Sequence, residues 1–417
     1  MVIGASGLIG SVVAARLRRD GHAIVAVGRS GDAAVRLDLR AATTPEAWLP
    51  HLAGIDTVVN CAGVLQDSPR DSTAALHRDM PAALWQACGA AGVRRVVHVS
   101  ALGVDRGGVT RFSLTKREGD DALAASPLEW VILRPSVVVG RAAYGGSALF
   151  RGLASLPVLP VPAGTGRVDV VQLDDVAETV ARLVEPGAVA RIALELAGPD
   201  RLSFPEIVAA YRRWLGWKPA LVLNVPDWLI GLAFRTGDLL AWLGWRPPIR
   251  TTARRELRRG AVGDGDAWRK ATGIEPQSLD AALAAHPASV QERWFSRLYP
   301  LKPLALGVFA LFWLLTGLIA LGPGYSRASH LVANGAGDVG DAAVIAAALA
   351  DIAVACGIVW RPTARLALRA ALGLSLAYLA AGTILRPELW SDPLGPLTKI
   401  FPILALNLLC LAILDER

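Results

Sequence analysis

Cysteine is scarce in this 417-residue chain: Cys61, Cys88, Cys356 and Cys410 are all there are. None stands at a metal-ligating or redox spacing, so a disulfide framework and a thiolate metal module are excluded, and no metal site is expected. The four read as small buried hydrophobes in a reducing compartment. No signal peptide is visible. The first strand is unusually short, which leaves either a truncated strand or a start further upstream. Net charge is +7, yet there is no aromatic-interleaved basic groove and no reader motif, so nucleic acid is not an expected partner. Much of the positive excess lies at Arg246–Lys270 and beside long apolar runs, which favours an anionic membrane surface.

Apolar residues are what the chain has in excess. They make up 53% of it, with a mean hydropathy of +0.41. The excess is uneven, because the part before about residue 303 looks globular. Beyond it come four apolar segments, at about 304–321, 342–360, 364–385 and 399–414. A spanning helix needs about 20 apolar residues, or about 17 at the short end. The first three qualify, and the fourth is marginal and holds Pro402 and Asn407. Four crossings would place Arg293, Arg297, Lys302, Arg361, Arg365 and Arg417 on the cytoplasmic side, and Arg327, Arg386 and Lys399 on the other. The expected location is therefore a bacterial-type inner membrane, multi-pass, with the globular part in the cytoplasm. Asp351 sits mid-segment, where a carboxyl costs about 2.5–3.5 kcal/mol on insertion scales. It is expected to pair with Arg369, with Asn407 as a second candidate. The alternative is a protonated carboxyl hydrogen-bonded between helices.

At the other end of the chain, Val2-Ile3-Gly4-Ala5-Ser6-Gly7-Leu8-Ile9-Gly10 reads as a strand, a glycine turn and the first turn of a helix. Gly4 permits the sharp turn, Gly7 lets backbone approach a pyrophosphate, and Gly10 lets helix pack close to strand. Phosphates would sit on the free N–H groups from Ser6 through Gly10 and on the positive end of the helix dipole. A helix over Val12–Arg19 follows, then strand-like runs at Ala23–Val27, Thr57–Asn60, Val96–Ser100 and Trp130–Leu133. This alternation predicts a Rossmann-like α/β fold, a doubly wound parallel sheet wrapped by helices. A smaller α+β lobe is expected at 190–275, a linker at 286–303, and a four-helix transmembrane bundle at 304–417. Within the lobe, Trp228–Trp245 is apolar but carries Arg235 and Asp238. It reads as core or as a substrate-lobe helix, with a membrane-surface role for Trp228, Trp242 and Trp245 as the alternative.

After the second strand, an acidic residue to accept the adenosine ribose hydroxyl is missing. Gly28-Arg29-Ser30 stands there, and a guanidinium suits a 2′-phosphate, so NADP(H) is favoured over NAD(H). Leu37-Asp38-Leu39 would bring a carboxylate towards the adenine amino group.

As a set, the glycine turn, Asp38-Leu39, Asn60-Cys61-Ala62-Gly63, Val99-Ser100-Ala101, Arg134-Pro135-Ser136…Gly140 and Asp174-Asp175-Val176-Ala177 resemble the extended and atypical short-chain dehydrogenase/reductases. The branch similar to NmrA-like proteins and to the nucleotide-binding subunit of respiratory complex I is nearest, over residues 1–285. The last third, with Pro387-Glu388-Leu389-Trp390 and Asp392–Lys399, looks like a DoxX-like membrane domain. The resemblance implies an oxidoreductase with a bound NAD(P), contacts from Cys61, Ala62, Gly63 and Pro135, and a small-molecule substrate. It also implies a serine on the substrate carbonyl, here Ser100, and a lysine on the nicotinamide ribose, here Lys116. The tyrosine expected one turn before that lysine is absent; Phe112 stands in its place and has no proton to give. Ser113, Tyr144 or a water are the substitutes the sequence leaves open. A non-catalytic nucleotide-binding sensor or assembly protein is the competing reading. His98 is expected to be a satisfied core histidine and Arg134 a structural residue.

Overall fold

The computed structural model describes residues 1–29, 33–69, 71–107, 110–332 and 338–415, so Ser30 and Arg417 lie outside the described residues. The chain forms two compact units. One comprises Met1–Leu239 and Pro247–Ser296, the other Leu240–Arg246 and the residues from Arg297 on.

The first unit is built on a parallel sheet. Its strands, in chain order, are β1 (Val2–Ile3), β2 (Ala26–Gly28), β3 (Val35–Arg36), β4 (Thr57–Asn60), β5 (Arg95–Val99), β6 (Glu129–Pro135) and the strand Ile192–Leu196. Across the sheet the order is Ile192–Leu196, β6, β5, β4, β1, β2, β3. The chain thus winds one way from β1 to β3, then returns to the other side of β1 through β4. The reversal between β1 and β4 is where open α/β sheets bind ligands. Neighbouring apolar residues on each strand point to opposite faces. Ile3, Val58, Val96 and Ile132 meet Met80, Leu84 and Trp85 of helix α2 (Met80–Ala90) and Leu123 of helix α3 (Arg111–Ala124). Val2, Val59, Val97 and Val131 meet Val13 and Leu17 of helix α1 (Leu8–Arg19) and Val176 and Val180 of the helix Leu173–Val184. Strands buried on both faces read as continuous apolar runs, and that made them visible in the sequence.

The smaller lobe has its own core, around Phe150, Leu159, Val161, Phe204, Ile207 and Tyr211. It takes in the strand Val158–Pro162, paired in parallel with Leu221–Val225. The strand Ile192–Leu196, which falls inside the 190–275 stretch, belongs to the main sheet, with Leu194 in register with Leu133.

In the second unit three helices are long and apolar enough to cross a membrane: Val290–Leu321, Gly340–Val359 and Ala364–Leu385. The stretch read as a linker is helical from Val290 on. The last apolar helix, Ile400–Ala412, has 13 residues. At about 1.5 Å per residue it is shorter than a hydrocarbon core of about 30 Å. Among the described residues the expected four-helix bundle thus has three candidate spans, and its marginal fourth segment is a shorter apolar helix. Small residues let the helices close up: a Cβ on Gly317 would lie 2.6 Å from the Ala348 carbonyl oxygen, and one on Gly357 2.8 Å from the Ala367 Cβ. Lys302 Nζ donates to the Leu414 and Asp415 carbonyls at 3.1 and 3.2 Å, and Arg361 reaches the Leu414 carbonyl at 3.3 Å. Arg365 pairs with Asp415. These cations gather at one end of the unit.

The expected Asp351–Arg369 pair does not form. Asp351 accepts a 2.7 Å hydrogen bond from the Tyr378 hydroxyl, Arg369 is exposed, and Asn407 donates to the Leu368 carbonyl at 3.1 Å. Side chains lean towards their own helix N-terminus, which carries Arg369 away from Asp351 and brings Tyr378 back to it. The nine residues from Arg369 to Tyr378 are two and a half turns at about 3.6 residues per turn, so the two occupy opposite faces.

Candidate functional site

The site starts at the end of β1. Gly4 has φ +73°, and a Cβ on it would lie 3.0 Å from the Ala62 nitrogen. The Gly4 and Ala5 N–H groups both donate to the Val27 carbonyl, at 3.0 and 3.2 Å. A Cβ on Gly10 would meet the Gly4 carbonyl oxygen at 2.2 Å, so only glycine permits this helix-to-strand approach. Helix α1 opens at Leu8 behind Gly7, with no side-chain cap and no acidic residue in its first turn, and Arg16, Arg18 and Arg19 occupy its last. Ala5, Leu8 and Ile9 are half-buried and Ser6 is exposed. The turn is not filled by its own side chains. The Gly7 N–H is taken by the Gly4 carbonyl at 2.9 Å, so the N–H groups at the start of helix α1 and its dipole are what fit a pyrophosphate.

The flanking strand ends complete the cleft. Asn60 closes β4 and its Oδ1 accepts from the Ala62 N–H at 3.1 Å, while the Cys61 N–H donates to the Ile3 carbonyl at 3.0 Å. Gly63 follows; a Cβ there would lie 3.5 Å from both His77 Nε2 and Lys116 Nζ. The run Cys61–Gly63 thus joins the glycine turn to the lysine. At the tip of β2, Arg29 is 44% exposed and pairs with Asp71 at 3.1 Å. Asp38 is held by Arg40, whose Nε donates at 3.0 Å, and Leu39 is in the core. The Pro135 carbonyl, at the end of β6, accepts from Leu102 at 3.0 Å.

Ser100 and Lys116 come together at the C-terminal edge of β5. The buried Lys116 Nζ donates to the Val99 carbonyl at 2.7 Å. Burial pushes its ammonium down to about 8, opposed by Asp120 and Cys61. Burial pushes the Cys61 thiol up to about 12. Ser100 is buried, with its hydroxyl beside the Asp120 carboxyl. Phe112, one turn before Lys116, sets its ring edge against His77 at 5.5 Å and 83°. His77 Nε2 accepts from the Val64 N–H at 3.0 Å, so its proton lies on Nδ1, 3.0 Å from the Thr115 hydroxyl. Burial, then the Lys116 charge, hold this imidazole neutral. Ser113 does not replace the tyrosine, because its hydroxyl is bound to Glu256 at 2.8 Å and to Thr110 at 3.1 Å. Tyr144 opens the helix Gly145–Ala154 and is 39% exposed.

Sequence reasoning missed Asp120. It lies one turn after Lys116 and is buried. Arg134 bridges it to Asp105, through Nε at 3.1 Å and a terminal nitrogen at 2.5 Å. His98 Nε2 is 3.5 Å from its other oxygen. The Asn60 amide is fixed by Ala62, so its Nδ2 donates to His98 Nδ1 at 3.2 Å and the imidazole proton points from Nε2 towards Asp120. His98 is therefore bonded on one nitrogen only. Burial raises the Asp120 carboxyl, and Ser100, Arg134 and Lys116 beside it oppose the rise. A line of polar groups thus runs beneath the cleft from Ala62 through Asn60, His98 and Asp120 to Arg134. The Lys-x-x-x-Asp spacing was the one signal in the sequence that pointed to it.

Residues 4–185 match the NAD(P)H-binding family and residues 310–408 the DoxX-like family. The chain joins an NAD(P)-binding domain to a DoxX-like domain. A ceramide reductase of Caulobacter vibrioides is 27% identical over 184 residues, which are 44% of this chain and 57% of that protein. An uncharacterized protein of Mycobacterium tuberculosis is 30% identical over 219 residues, 51% of this chain and 23% of that one. The chain thus spans under two thirds of the length of either relative. Among solved structures, an NADPH-dependent quinone oxidoreductase from Escherichia coli, complexed with NADPH, has a TM-score of 0.52 at 19% identity, covering 68% of this chain and 98% of that one. An enzyme of Bordetella bronchiseptica in complex with NAD has a TM-score of 0.53 at 15% identity, covering 71% and 94%. The NAD(P)-binding domain shares the fold of these solved structures.

Proposed function

We propose that the chain is a membrane-tethered oxidoreductase that uses NADP(H) to reduce a lipophilic carbonyl or quinone-like substrate. The observation that carries this reading is the pair Ser100 and Lys116: a buried hydroxyl and a buried lysine at the end of the same strand, the lysine reaching the Val99 carbonyl and lying beside Gly63. Gly4, Ser6, Gly7, Leu8, Ile9 and Gly10 hold the pyrophosphate. Arg29, Asp38 and Leu39 flank the adenosine, and Cys61, Ala62, Gly63 and Pro135 line the nicotinamide end. The dinucleotide, when bound, supplies the hydride. The Ser100 hydroxyl donates to the substrate carbonyl oxygen, and the Lys116 ammonium gives the proton that a tyrosine supplies elsewhere. Asp120 beside Lys116 favours that ammonium. The ceramide reductase among the relatives supports a lipid-derived substrate. The DoxX-like match and the apolar helices support a membrane location, and the cations gathered at Lys302, Arg361 and Arg365 support a cytoplasmic NAD(P)-binding domain at a bacterial-type inner membrane.

Phe112 favours a second reading, a nucleotide-binding sensor or assembly protein without turnover. In detergent, NADPH and NADH binding by thermal shift, followed by oxidation with a panel of long-chain aldehydes, ketones and quinones, separates the two. Turnover that disappears in Ser100→Ala with binding intact supports the enzyme. Tight binding without turnover, unimproved by Phe112→Tyr, supports the sensor.

A further inference from the structure

The helix Asp227–Trp242 is apolar on both sides. One side, with Ile230, Phe234, Gly237 and Ala241, is buried. The other carries Trp228 at 73%, Leu232 at 55%, Leu239 at 59% and Trp242 at 69% exposure. These four, with the exposed Arg235 between them, fall at spacings of four, three, four and three, a single stripe along the helix. The strand just before it adds Leu221, Val222 and Leu223, all more than half exposed. A helix apolar all round is normally buried, and a patch this large on a soluble surface marks an interaction site.

We infer that this stripe lies in the lipid interface as an in-plane helix, a second mooring besides the spanning helices. Continuity selects the bilayer as occupant. The chain leaves the helix through Leu243–Trp245, which bind the turn between two spans: the Arg361 N–H donates to the Leu243 carbonyl at 3.1 Å, and Trp245 Nε1 to the Val359 carbonyl at 2.7 Å. The Arg361 guanidinium covers the Trp245 ring at 5.4 Å. That turn is one end of the membrane helices, and Leu240–Trp242, the last residues of the helix, belong to the same unit as those helices. Tryptophans at both ends of the stripe and one arginine in its middle suit the depth of the headgroups, where indoles settle and an arginine reaches the phosphates. The buried side links the stripe to the cofactor cleft. Asp238 accepts from Gln66 Nε2 at 2.9 Å, and the Thr252 N–H donates to Gln66 Oε1 at 3.1 Å. Gln66 stands three residues after Gly63. A lipid surface under this helix therefore bears on the loop that flanks the nicotinamide end.

The inference rests on the membrane placement of the apolar helices and not on the reductase reading. The test uses the full chain in vesicles of phosphatidylcholine and phosphatidylglycerol, after Cys356 and Cys61 are replaced by alanine. Nitroxide labels go on Leu232→Cys, Leu239→Cys, Leu376→Cys and Thr43→Cys, and collision with oxygen is compared with collision with a water-soluble nickel chelate. Residues 232 and 239 are expected to favour oxygen, as Leu376 does inside a span, and Thr43 to favour nickel. If Leu376 reports lipid while 232 and 239 favour nickel, the inference is overturned and the membrane placement survives. If 232 and 239 meet neither reagent, a second protein copy covers the stripe and the inference is again overturned. If Leu376 itself favours nickel, the membrane placement falls and the inference with it.

Discussion

The first unit buries Asp120 and Asp169 and the second buries Asp351, and Asp120 and Asp351 are held in opposite ways. Asp120 lies among cations and an imidazole: Arg134 bonded to it, Lys116 one turn away, His98 3.5 Å off. Asp351, among the apolar helices, meets only a phenol, Tyr378. The first unit sets Asp120 among charged groups, with the Ser100 hydroxyl beside it. Tyr378 joins two of the apolar helices through Asp351 and the Ala347 carbonyl, Asn407 joins another pair through the Leu368 carbonyl, and Arg369 stays at the surface. On the proposed reading, the charged setting of Asp120 belongs to the chemistry and the neutral setting of Asp351 to the membrane helices.

Four experiments sharpen or break that contrast. The largest effect is expected from Asp120→Ala, which strands Arg134 and the buried Lys116. It should destabilise the NAD(P)-binding domain by about 3–5 kcal/mol, a fall in Tm on the order of 10 °C by calorimetry. Ser100→Ala should lower turnover about 10²–10³-fold while NADPH binding by thermal shift stays unchanged. The pH profile of NADPH oxidation follows from Lys116. An ammonium whose pKa is about 8 in the fold gives up its proton as pH rises through that value. The reductive rate should therefore be flat below about 8 and fall about tenfold per unit above it, and Lys116→Met should lose this break along with the activity. The smallest effect is expected from Asp351→Asn, which keeps an acceptor for Tyr378 and should shift stability by less than about 1 kcal/mol. If Asp351→Asn proved as damaging as Asp120→Ala, the contrast between chemistry and tether would fail.

The parallel sheet was legible because its strands are apolar without interruption, and Thr57–Asn60 was placed at its observed bounds. The edge strands Val35–Arg36 and Ile192–Leu196 were not, since an edge needs fewer apolar residues and carries Arg36 and Glu195. The glycine turn was legible because steric limits at Gly4 and Gly10 leave no other residue type. Ser100 and Lys116 were reached through the family resemblance. Asp120, His98 and Arg134 come from three separate elements, and only the sheet register brings β5 and β6 beneath α3. In the membrane part helix positions were readable from hydropathy, but the partner of Asp351 depends on side-chain direction, which a count of residues does not carry.

NADPH oxidation by the full chain in vesicles containing a long-chain aldehyde tests the central claim most directly, followed as loss of NADPH fluorescence beside a parallel measurement of NADPH binding. The account predicts oxidation that stops in Ser100→Ala with NADPH still bound. Oxidation that continues unchanged in Ser100→Ala, or firm NADPH binding with no oxidation of any aldehyde, ketone or quinone even after Phe112→Tyr, would contradict it.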